Sequence, residues 1–145
     1  MATKGNALLD TSTGLVLAAQ LPTSLPADLY ILSTTTGIDL TSVATTSLFT
    51  PSGHSAVVTG IIVRITAVNT FVTAGSISIG QNGSVNDIIP ITALTGLNTT
   101  ALFFPLTPAV VAALTISGNT ISLKVTTGAT ATTLTGAVDL LGYLI

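Results

Sequence analysis

The 145-residue chain has no cysteine, no tryptophan and no glutamate, and only eight residues carry formal charge. Without cysteine, disulfides and thiolate metal sites are excluded, while the redox compartment stays unread. The charges are Lys4, Asp10, Asp28, Asp39, Arg64, Asp87, Lys124 and Asp139. They make up 6% of the chain, against about 25% in an ordinary soluble domain. A net charge of −2 with three scattered cations offers no basic patch, which argues against a nucleic-acid partner. Solubility must come from Thr, Ser, Asn and Gly. Such a surface repels other proteins weakly and suits a chain whose surface is consumed by contacts in an assembly.

A long hydrophobic run is also missing. The mean hydropathy of +0.83 is high, but a spanning helix needs about 18–20 consecutive apolar residues. The longest strictly apolar run is AVVAAL, residues 109–114. A membrane barrel signals itself by alternation alone and is not excluded by that count. The opening MATKGNALLD, however, has no apolar core of a secretory signal. The expectation is no membrane partner.

The third absence is chemistry. His54 is the one histidine, and a general base needs a nucleophile and an orienting acid beside it. No GxSxG elbow occurs. The five aspartates are scattered, with no local pair of the kind glycoside cleavage uses. The loop Gln81–Asp87 offers one carboxylate with Asn82 and Asn86, which is thin for calcium. No Gly-rich loop is followed by Lys, so a phosphate cradle is absent. The expectation is a chain that is not an enzyme, with no catalytic, cofactor-binding or metal residues.

What is present is a β-protein. Thr, Val and Ile favour strands, and Gly and Pro punctuate the chain as turns would. The organising stretch is Ala56 to Leu97. Its first run places Ile61, Val63, Ile65 and Ala67 on one parity, facing the core, and Ile62, Arg64, Thr66 and Val68 on the other. Further strands are expected over 43–50, over 76–80 with Ile77 and Ile79 inward, and over 88–94, where Pro90 requires an edge or bulge. Others are expected over 101–105, where one of Phe103 and Phe104 must bury and the other find a partner, over 120–127, where Ile121, Leu123 and Val125 share the apolar parity, and over 133–145. Asn82-Gly83 suits a tight hairpin turn, and residues 108–114 a helical turn with Pro near its start. Recurrent Thr-Gly pairs read as strand-entry turns. About eight strands with turns every 8–12 residues predict an all-β fold. It would be an antiparallel sandwich, jelly-roll-like, with an extended N-terminal segment. Residues 1–42 form an arm or edge segment, with Leu15-Val16-Leu17 as one possible strand, and 43–145 the sandwich.

The phrases VRITAVNTFVTAGSISIGQNGSVNDIIPITALTGL and VDLLGYLI resemble small virion structural proteins of tailed bacteriophages. These are charge-poor β-proteins of the head-decoration or cement type. The likeness spans roughly residues 56–97 and 137–145, about a third of the chain, and rests on strand phrases without a catalytic signature. It implies a sandwich or jelly roll, often a homotrimer, on the exterior of the capsid. The partner would be the major capsid protein, and the role would be to stabilise the shell. The alternative is a fibre or tail module that binds a host-surface glycan, for which few aromatics are present. Candidate subunit or capsid contacts are Leu15, Leu17, Tyr30, Arg64, Phe103 and Phe104.

Overall fold

The computed structural model describes residues 30–100, 102–109, 114–115 and 117–145, and of Tyr30 and Leu114 the backbone only. The strands are β1 (Tyr30–Asp39), β2 (Thr45–Phe49), β3 (Ala56–Asn69), β4 (Ser76–Gly80), β5 (Ile89–Ala93), β6 (Phe103–Leu106), β7 (Leu114–Thr115), β8 (Ile121–Thr127) and β9 (Thr133–Leu144). No α-helix occurs among the described residues, so none there is long and apolar enough to cross a membrane. The expected helical turn over 108–114 falls largely outside the described residues, and its last residue opens β7.

Two antiparallel sheets form. The front sheet runs β1-β9-β3-β6, with β7 pairing β3 beyond the end of β6, and the back sheet runs β2-β8-β4-β5. Sequence-adjacent strands β1/β2 and β3/β4 lie in opposite sheets, and β8/β9 return between the strands laid down first. That double Greek-key winding is the jelly roll the sequence predicts. Both strand prolines, Pro90 in β5 and Pro105 in β6, lie on sheet edges, where a missing N–H costs no ladder bond. Tyr30–Asp39 is the outer strand of the front sheet, pairing β9 from Tyr30↔Gly142 to Asp39↔Thr135. Residues 1–29, including the possible strand at Leu15–Leu17, lie outside the described residues.

The core is aliphatic. Ile61, Val63, Ile65, Val138 and Leu140 of the front sheet meet Ile77, Ile79, Ile121, Leu123 and Val125 of the back sheet. These are the inward parities expected of β3, β4 and β8. The parity of β3 fails at Ala67, which is exposed, while Val68 packs on the core. The cause is register. The fourteen residues of β3 pair with only twelve of β9, and the two extra residues sit at bulges, between Val58 and Gly60 and between Ile65 and Ala67. Each bulge flips the side-chain alternation.

Both spare residues are threonines. The Thr59 hydroxyl donates to the Leu141 carbonyl (3.3 Å) and the Thr66 hydroxyl to the Thr135 carbonyl (3.1 Å). In the back sheet Thr126 is left out of register between Val125 and Thr127, and its hydroxyl donates to the Ser76 carbonyl (3.1 Å). A side-chain O–H thus reaches the partner strand where the backbone ladder is interrupted.

Two turn expectations change. Thr-Gly pairs are not strand-entry turns throughout: Thr59-Gly60 and Thr36-Gly37 sit at bulges inside β3 and β1. Gly37 there has φ +73°, which favours glycine. Asn82-Gly83 does not close a two-residue hairpin. It opens a turn in which Val85 N donates to Asn82 O (3.0 Å), within the longer β4–β5 connection. Asp87 ties that loop down by accepting from Gln81 N (2.8 Å), so its carboxylate serves the backbone.

Candidate functional site

Alternation places one set of front-sheet side chains on the face turned away from the core. Ile31 of β1 is opposite Leu141 of β9, Ile62 of β3 is opposite Pro105 of β6, and Arg64 is opposite Phe103. The result is a broad, mostly apolar face crossing four strands. Phe103 is 63% exposed and Ile31 62%, large values for apolar side chains in regular strands.

One polar cluster interrupts it. Arg64 Nε lies 2.7 Å from Asp139 Oδ2 and Nη2 lies 3.1 Å from Oδ1. Thr34 Oγ1 donates to Asp139 Oδ1 at 2.8 Å. The three residues stitch β1, β9 and β3 across the sheet. The Asp139 side chain is only 12% exposed and that of Arg64 44%. The hydrogen bond from Arg64 holds the Asp139 carboxyl below its ordinary value. Burial opposes this, and the Thr34 hydroxyl and the Arg64 charge add to the lowering. The same contact raises Arg64. A forked guanidinium on a sparsely hydrated carboxylate is the stronger kind of ion pair. The face therefore carries an internally neutralised pair amid apolar surface.

The sequence candidates separate on this frame. Arg64 and Phe103 come together as direct neighbours on β3 and β6. Phe104 has the opposite parity, stands beside Val63 and packs on the core. Tyr30 begins β1, at the end of the same sheet. Leu15 and Leu17 lie outside the described residues. Ile62 stands, as expected, on the outward parity with Arg64, but Ile31 and Leu141 were missed. They sit in runs such as YIL and DLLGYL, where apolar residues occupy both parities, and only the strand order shows which ones face away from the core. Asp139 was missed as a partner of Arg64 because 75 residues separate them.

Elsewhere among the described residues, Asp39 and Asp87 serve local structure. Asp39 accepts from the Thr41 hydroxyl (2.6 Å) and amide (2.9 Å), which lowers its pKa. His54 is exposed in the turn between β2 and β3. Among the described residues, no three His, Asp or Glu gather where a metal ion could be held.

No family model matches the chain, and no curated protein does. A solved structure does. The chain is similar to one in the cyanophage Pam1 capsid asymmetric unit, with a TM-score of 0.51 and 19% identity. The match covers 90% of this chain and 98% of that one. At that identity the likeness is one of fold, and it spans nearly the full length of both chains.

Proposed function

We infer that this chain is a structural protein of a phage virion, seated on the exterior of the capsid against the major capsid protein, where it stabilises the shell as a cement or decoration subunit. It acts as a homo-oligomer, a trimer by the resemblance, and performs no catalysis. The observation that carries this reading is the outer face of the front sheet. An apolar surface with Phe103 and Ile31 exposed and Leu141 half-buried beside Ile31, its one ion pair already neutralised, suits burial against another protein. The similarity in fold to a chain of a phage capsid asymmetric unit supports the same reading.

The mechanism is mechanical. The face presents no unpaired charge to strip of water, so contact across a joint between capsomers converts apolar area into adhesion. Many copies multiply a weak contact. Stripping purified virions with mild denaturant tests the role. Release of this chain should lower the temperature at which the shell opens. Release with no change in shell stability sinks the cement reading. The mass of the isolated protein tests the trimer, and a stable monomer counts against it.

A further inference from the structure

An apolar notch of about 440 Å³ opens at one pole of the sandwich, lined by Ile31, Leu32, Phe49, Tyr143 and Leu144. It lies where β1 begins and where β2 and β9 end. We propose that this notch receives the Leu15-Val16-Leu17 segment of a second copy of the chain, so that copies are joined by exchanged N-terminal segments. This rests on the homo-oligomer in the function proposed above, and not on capsid binding.

The position and length of the preceding chain carry the proposal. Twenty-nine residues precede Tyr30, and Tyr30 stands beside two residues that line the notch. The preceding chain therefore starts at the lip of the notch. Leu15-Val16-Leu17 is a compact aliphatic triplet in that stretch, matched in character to a mostly apolar lining. Between it and Tyr30 lie thirteen steps of chain that include Pro22 and Pro26. Residues before proline avoid the helical basin, and thirteen extended residues reach about 40 Å. An extended linker of that length would bring the triplet within reach of a neighbour's notch.

The neighbouring backbone favours side-chain insertion over strand addition. The free edge of β1 is broken by irregularities between Ile31 and Ser33 and between Thr35 and Ile38, and β2 has only five residues. Short or bulged edges template poorly for another strand. The notch instead offers a hollow for side chains.

The chain has no cysteine and no tryptophan, so introduced ones report alone. Full-length Leu17→Cys protein is refolded with full-length Leu144→Cys protein and mildly oxidised. The expected product is a disulfide-linked dimer containing one chain of each variant, converted to monomer by reductant. The Leu15→Cys and Val16→Cys variants are run in parallel. The double variant Leu17→Cys/Leu144→Cys should likewise give linked oligomers, and an internally closed monomer overturns the exchange. Failure of all three mixed pairs to link also overturns it. As a second readout, Leu144→Trp emission should shift to the blue on association, and deletion of residues 1–20 should abolish that shift. Linked dimers from a protein that leaves shell stability unchanged would uphold the exchange while the cement role fails.

Discussion

Arg64 and Asp139 form their ion pair on a diagonal. Asp139 stands opposite Ile62 and Arg64 opposite Ala137, yet both nitrogens of the fork reach the carboxylate, at 2.7 and 3.1 Å. The diagonal leaves Arg64 half in solvent and Asp139 largely out of it, so the two halves of the pair are not equivalent.

Removing Arg64 should therefore cost more than removing Asp139. Arg64→Met strands a nearly buried carboxylate held only by Thr34, at a cost of about 2–3 kcal/mol. Asp139→Asn keeps a hydrogen-bonding side chain and frees a guanidinium that water can reach, at about 1 kcal/mol. Urea unfolding of the two variants reads the difference, and equal losses would show that the pair is solvated alike at both ends.

Acid should destabilise the protein partly through this carboxylate. The folded pKa of Asp139 lies below its ordinary value of 3.8, so the unfolded chain takes up the proton first as pH falls. The contribution is complete above the unfolded value and is lost progressively as pH drops through the lowered folded value. Asp39, lowered by Thr41, adds a second contribution of the same sign. Urea midpoints between about pH 5 and 2 should fall with a shallower slope in Asp139→Asn than in the parent. An unchanged slope would remove Asp139 from the account.

The bulge threonines give a prediction opposite to strand propensity. Thr66→Val and Thr126→Val are nearly isosteric, and Val is at home in strands. Each should nevertheless destabilise by about 1 kcal/mol, because each removes a hydroxyl that donates to a carbonyl across a bulge. Thr45→Val, in regular register opposite Lys124, should be neutral within about 0.5 kcal/mol. Thermal denaturation of the three variants decides, and equal behaviour would reduce the hydroxyls to bystanders.

Phe103 and Phe104 should part company under substitution. Phe104→Ala truncates a side chain packed on the core and should cost about 2–4 kcal/mol. Phe103→Ser should leave the isolated chain's stability within about 0.5 kcal/mol. It should weaken attachment to the capsid tenfold or more, measured by retention on purified shells. Full retention of Phe103→Ser would move the docking surface off this face.

Much of this was legible in the residues. Period-two alternation located β4 and β8 with their inward sides, and the prolines at 90 and 105 agree with sheet edges because a missing N–H has only one tolerable place. The phase of β3 was not legible beyond Ile65. A bulge leaves no mark in a Thr-rich run, since an extra threonine looks like any outward one. The partner of Arg64 was hidden for a different reason. Strand order brings β9 beside β3, and no local pattern records a neighbour 75 residues away. Phe103 and Phe104 were seen as a pair in which one must bury, but choosing between them needed the register against Val63 and Arg64.

The last described residue is bound back to the start of β3. Ser55 N donates to Ile145 O at 3.0 Å and Ile145 N to Ser55 O at 2.9 Å, at the pole where β1 also begins. Thr133, at the other end of β9, lies about 40 Å away. A compass follows from this. A visible marker attached after Ile145 and another set in the 131–132 bend would ride on opposite tips of the sandwich. Imaging the two on one shell would show which tip points outward, before any contact residue is mapped.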